Sequence, residues 1–330
     1  MIDTKLSARD SLAIDCIKAF AILSVIAAHT VVLNETNAIS YLVTSLWSMF
    51  SKVGVIVFFI VGGFLYSRKD GDNKEYWTKK FFRIVLPWLI CSFITYVVSV
   101  IGGNDCSVYE YISWIFGSGT WYYYVVIYLL FLLIFKLFYR RDVILWVLVS
   151  LQVFALALNT FGISTTLKTE FFTDYLNPLF WVGYFALGIL VRRYRLDIKL
   201  RDSKLIFVLA IVLIICMTPV MYLARIHTYF SLITMIYCLA FAVVLWKISY
   251  IIANTRFASF TRMIGVSTYC IYLLHMQIVQ TAIGLLPECV TVFVFAPFIG
   301  LAIMILLVCI ANWVCRKISF GDKLKMCFGL

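Results

Sequence analysis

The chain has 330 residues, of which 64% are hydrophobic and 13% charged. Soluble domains run at about 25% charged, and half that charge cannot coat a water-facing surface of this size. A soluble enzyme, a disordered chain and a small secreted disulfide scaffold are excluded, which leaves a polytopic membrane protein. The net charge of +12 suits either a nucleic-acid binder or a membrane protein with basic cytoplasmic loops, and the placement of the basic residues decides between them.

A spanning helix needs about 20 apolar residues, and about ten stretches approach this. They are 12–33, 49–66, 84–102, 120–138, 143–160, 177–194, 205–223, 229–250, 263–285 and 290–315. The fifth and sixth are interrupted by polar residues. The first carries Asp15 and Lys18 and lacks a small-residue cleavage site, so it reads as a span and not as a cleaved signal peptide.

Basic residues crowd alternate connections. Lys5 and Arg9 precede the first span, whereas the loop around 34–45 has no Lys or Arg. The second connection holds Arg68, Lys69, Lys74, Lys79, Lys80 and Arg83, and the third, around 104–118, holds none. The pattern continues to Arg316, Lys317, Lys323 and Lys325 in the tail. All but Lys18, Lys52, Lys168 and Arg225 fall on one side. By the positive-inside rule both termini are cytoplasmic. The expectation is an all-α membrane protein of about ten transmembrane helices, one transmembrane domain over 1–330, with no nucleic-acid partner.

Most cysteines lie in apolar runs, where Cys behaves as a small hydrophobe. Cys106 and Cys289 fall in outward connections and could pair if their loops meet in an oxidising compartment. No Cys/His spacing reads as a metal site, and neither a Walker loop nor GxGxxG is present.

Ionisable groups inside spans cost about 2.5–3.5 kcal/mol each on insertion scales and mark function more often than chance. The first span holds Asp15, Lys18 and His29. Lys18 and His29 lie about 20° apart around a helix and about 16 Å apart along it. Asp15 is one turn before Lys18 on the same face, so the two read either as an interfacial ion pair or as part of a site. His29 reads either as a satisfied interhelical hydrogen bond or as a base. A second polar stripe, Ser267, Thr268, Tyr272 and His275, sits in the ninth span, as bundle glue or as site. The segment 76–83 is basic and aromatic. It suits a membrane-surface helix, or an anion site in which Lys80 and Arg83 share a face and hold phosphates.

Several segments together resemble the membrane acyltransferase-3 family of bacterial O-acyltransferases. Asp15-Cys16-Ile17-Lys18, running to His29, is similar to its first-helix signature of a basic residue, ten residues and a His. Val53 to Phe64 resembles its second helix, Lys80-Phe81-Phe82-Arg83 with Pro87 its basic pair, and Thr120-Trp121-Tyr122-Tyr123 the start of its fourth helix. Gly183 and Gly188 resemble its Gly pair, and Ser267 to His275 its late Ser…Tyr-Leu-x-His. Lys18 and Lys80 stand where Arg is commoner, Gly62 where Ser is usual, and Gly119 where many members have His.

The resemblance implies a bacterial cytoplasmic-membrane enzyme that moves acetyl from acetyl-CoA to a hydroxyl of a glycan or lipid-linked sugar, with no metal. Its implied catalytic group is His29 with Asp15 and Lys18. Lys18, Lys80 and Arg83 would bind the CoA phosphates, and His275, Ser267, Tyr272, Trp121 and Tyr122 the acceptor. Membrane lipids surround it. A proton-coupled transporter or flippase is the alternative that buried Asp, Lys and His would also suit.

Overall fold

A computed structural model describes residues 6–31, 33–66 and 73–330. Lys5, Arg68 and Lys69 of the charge pattern lie outside the described residues. Within them, the regular structure is helical throughout. Helices α1 (Ala8–Thr30), α2 (Ala38–Ser51) and α3 (Val53–Phe64) come first. Helix α4 (Asn73–Lys80) runs through a π-helical turn, Phe81–Val85, into α5 (Leu86–Ile101). Then follow α6 (Val108–Phe116), α7 (Tyr123–Phe138), α8 (Asp142–Thr160), α9 (Val182–Arg193) and α10 (Leu196–Asp202). The chain closes with α11 (Lys204–Leu223), α12 (Leu232–Ile252), α13 (Ala258–Gly284), α14 (Val290–Lys317) and α15 (Gly321–Phe328).

Among the described residues, seven helices are long and apolar enough to cross a membrane. Each of the expected spans nevertheless coincides with a helix. Three fall outside the seven: α7 with 16 residues, α9 with 12, and α13, whose polar residues lower its apolarity. The expected sixth span, 177–194, opens as a 3₁₀ turn, Pro178–Phe180, just after another at Asp174–Leu176, and becomes α-helical only at Val182. The loop expected at 34–45 is mostly helix, because the Asn37 side chain caps α2 by accepting from the Ser40 amide (2.8 Å). The basic segment 76–83 is no separate surface helix; it continues into α5 as one 28-residue helix, 74–101.

Helix α1 is the hub. Its start is fixed by a capping box between Ser7 and Asp10, and it packs on α2, α3, α12, α13 and α14. In lipid no hydrophobic force draws helices together, so close approach depends on small residues. Three neighbours approach α1 through a glycine: Gly54 of α3, Gly265 of α13 and Gly300 of α14. A Cβ on Gly265 would overlap the Asp15 carbonyl, and one on Gly54 the Ala21 carbonyl. Gly63 and Gly188 seat α3 on α9 in the same way.

Cys106 and Cys289 are exposed free thiols. Cys106 precedes α6, which packs on α5, whereas Cys289 caps α14, which packs on α1, α2 and α13.

Candidate functional site

The tight α1–α13 seam brings two histidines together at the far end of α1. The rings of His29 and His275 lie 5.0 Å apart, tilted by 57°. His275 is fully buried, and its Nδ1 lies 2.8 Å from the Tyr272 carbonyl one turn earlier. A carbonyl only accepts, so Nδ1 carries the hydrogen and the neutral ring keeps its lone pair on Nε2. That Nε2 is buried with no hydrogen-bond partner among the described residues.

The start of α7 is clamped onto this point. The Trp121 indole (3.4 Å) and the Tyr122 hydroxyl (3.0 Å) both donate to the Leu273 carbonyl, and the Tyr272 hydroxyl donates to the Trp121 carbonyl. The Trp121 and Tyr272 rings stand 6.2 and 5.8 Å from His275.

Two cavities flank this cluster. One, of about 550 Å³, opens at the end of the bundle where the basic connections gather, and is lined by Lys18, Lys80, Arg83, Tyr124, Thr268 and Tyr272. Lys18 pairs there with Asp15 at 2.6 Å, and Lys80 lies 5.6 Å from the Tyr76 ring centre. The π turn that presents Arg83 follows from Pro87. Proline has no N–H to return to the Arg83 carbonyl, so the helix widens, and the Leu86 amide bonds Phe81 instead. The Tyr269 hydroxyl takes up the Ile84 carbonyl at 2.6 Å.

The second cavity, of about 560 Å³, opens at the opposite end. His29, Lys52, Trp121, Asp174, Tyr175 and Tyr229 line it. The two cavities share no lining residue. Between them stand Tyr124, Tyr272, Trp121 and His275, with Tyr124 and Tyr272 edge to face at 5.4 Å.

The residues singled out in the sequence thus separate into three places. Lys18, Lys80 and Arg83 converge on the basic cavity, with Asp15 beside Lys18. His29 is not with Asp15 and Lys18; it lines the opposite cavity with Trp121 and touches His275. Tyr272 borders the basic cavity with its hydroxyl already engaged. Tyr122 is a buried clamp, bonded to Thr95 and Leu273, and Ser267 is buried; neither lines these two cavities.

Other lining groups were not singled out. Lys79 joins the basic cavity, and Asp174 and Lys168 pair at 2.9 Å beside the opposite one. Lys52 lines that cavity as well; its off-pattern charge inside a span was its signal.

A model of an acyltransferase domain, that of the acyltransferase-3 family, matches residues 11–315. The chain belongs to the acyltransferase-3 family. It is accordingly a multi-pass membrane acyltransferase. The matched region takes in both histidines and both cavities. No curated protein and no solved structure matched the chain.

Proposed function

We propose that this acyltransferase moves acetyl from acetyl-CoA to a hydroxyl of an envelope glycan or lipid-linked sugar at a bacterial cytoplasmic membrane. The reading rests chiefly on the His29–His275 pair, set between a basic cavity and an aromatic one that open at opposite ends. Three cations, Lys18, Lys80 and Arg83, suit the phosphates of CoA, with Asp15 holding Lys18 in place. The tyrosines deeper in that cavity suit the uncharged arm that carries the thioester. The faces of Trp121, Tyr175 and Tyr229 suit the C–H faces of a sugar ring in the other.

In this scheme His29 takes the proton of the acceptor hydroxyl as its oxygen attacks the thioester carbonyl. The carbon–sulfur bond then breaks, and the CoA thiolate leaves with the proton. A protonated His29 can donate to the lone pair on His275 Nε2, which supports the imidazolium while it lasts. A transporter has no use for a thioester, so donor turnover separates the two readings.

The test is radiolabelled acetyl-CoA turnover by purified protein in nanodiscs. His29→Ala is expected to lower kcat by about 100-fold or more with CoA binding intact. The double change Lys80→Ala and Arg83→Ala is expected to raise KM for acetyl-CoA and spare kcat. Full turnover by the His29 variant removes the base assignment, and an unchanged KM removes the donor assignment.

A further inference from the structure

The helical run from Ala38 to Phe64 is broken at one residue, Lys52. The cause lies on other helices. Where the Gly54 amide would bond the Phe50 carbonyl, the Ser24 hydroxyl of α1 is inserted, accepting from Gly54 (2.7 Å) and donating to Phe50 (2.7 Å). One residue on, the Tyr229 hydroxyl takes the Ser51 carbonyl at 3.2 Å. Insertion of side-chain groups into the ladder bends a helix, and irregular backbone at membrane depth is tolerated where it lines a cavity.

The break places Lys52 in the wall of the cavity that also holds His29. Its ammonium lies 5.0 Å from the Tyr229 ring centre and 3.3 Å from the Ser51 hydroxyl. Among the described residues no carboxylate pairs with it. The carboxylate that lines the same cavity, Asp174, is taken by Lys168 through one oxygen. Its other oxygen, Oδ1, is buried without a hydrogen-bond partner among the described residues. The cavity therefore offers aromatic faces, one unused carboxylate acceptor and one cation lacking a counter-ion. A neutral sugar would engage the first two and leave Lys52 half-desolvated and uncompensated, a costly state for a charge.

We infer that Lys52 is an acceptor-specificity residue: the acceptor is an anionic sugar, whose carboxylate or phosphate pairs with Lys52 while a neighbouring hydroxyl faces His29. This rests on the reading of the opposite cavity as the acceptor site. Bringing the anion also brings the counter-ion, so the charge pair forms only with the correct substrate, and discrimination against neutral sugars follows.

The experiment uses the full chain in nanodiscs with three acceptor oligosaccharides: one bearing a uronic acid, one bearing a sugar phosphate, and their neutral counterpart. Binding is followed by tryptophan fluorescence, since Trp121 lines the cavity, and transfer by acetyl release from acetyl-CoA. At least one anionic acceptor is expected to bind about tenfold or more tightly than the neutral one, and which one it is separates carboxylate from phosphate. Lys52→Met is expected to erase that difference and leave KM for acetyl-CoA unchanged. Lys52→Arg, which keeps the charge, is expected to retain it and serves as the folding control. In the unaltered protein the preference should also shrink as salt is raised.

Equal binding of charged and neutral acceptors overturns the inference, as does a Lys52→Met variant that keeps the preference. Charge-selective binding that depends on Lys52 but comes with no acyl transfer leaves the anionic subsite standing and removes the glycan acyltransfer reading instead.

Discussion

Gly265 has no room for a side chain. A methyl group there would meet the backbone of Asp15, which cannot move aside as a flexible side chain would. Gly265→Ala must push α13 off α1, and overpacking of this kind costs about 1–3 kcal/mol. Because the same seam sets the distance between His29 and His275, activity should fall with stability. A thermal unfolding series on the detergent-purified variant, run beside turnover, checks both. A variant as stable and active as the parent would show that the seam is looser than described. At this scale the sequence was informative about which residues matter and less so about which belong together. His29, Lys18 and His275 stand out because lipid penalises them. That His29, one axial step of about 16 Å from Lys18 on the same face, would meet His275 depends on α13, whose histidine lies 246 positions later. The i, i+3 contact of Asp15 with Lys18 is local, so periodicity alone places it.

Two helices are interrupted where they border the cavities, and only one of these interruptions leaves a mark in the chain. Pro87 announces the π turn that carries Arg83 to the basic cavity. Pro87→Ala restores the missing amide, lets the Arg83 carbonyl be satisfied within an α-helix, and rotates Lys80 and Arg83 relative to α5. The helix should be no less stable, since Ala is the better helix former by about 3 kcal/mol. Affinity for acetyl-CoA should nonetheless weaken, read as a raised KM in steady-state assays; an unchanged KM would mean the turn does not aim these cations. The break at Lys52 has no comparable mark. Nothing in the local run of Ser51, Lys52 and Val53 stops a helix, and the hydroxyls that open it come from Ser24 and Tyr229. A smooth span from 49 was the natural expectation, and a helix that begins at Ala38 and bends at Lys52 could be found only with its neighbours in place.

For the molecule as a whole, the alternation of basic connections gives a direction in the membrane that native cysteines can report. Cys106 and Cys289 are exposed at the end away from the basic connections, whereas Cys327 lies in α15, after the last basic-end span. A membrane-impermeant maleimide added to intact cells, without reductant, should label the first two and spare Cys327 until the cells are opened. The reverse pattern would invert the orientation, and labelling of Cys106 and Cys289 only after reduction would mean that they are paired in the cell. The span pattern was largely legible because bilayer thickness fixes it. The two cavities were not, because each is assembled from connections far apart in the chain, such as 117–121 with 168–175 and 229–230.

The thinness of the partition between those cavities has an electrical consequence. A resting membrane drops its voltage across whatever insulates best, and with water in both cavities that is the few rings between them: Tyr124, Tyr272, Trp121 and His275. Each unit charge that crosses costs or releases about 2.3 kcal/mol per 100 mV, so a leak of protons or sodium at this point would drain the cell continuously. Bulky aromatic plates, a tyrosine hydroxyl tied to the Trp121 carbonyl and a histidine holding its Nδ1 hydrogen against the Tyr272 carbonyl keep these donors engaged and leave the His275 Nε2 lone pair open. In the proposed transfer the acetyl group passes one way as the hydroxyl proton passes the other to the CoA thiolate, so the exchange as a whole moves no net charge and draws no current from the membrane that houses it.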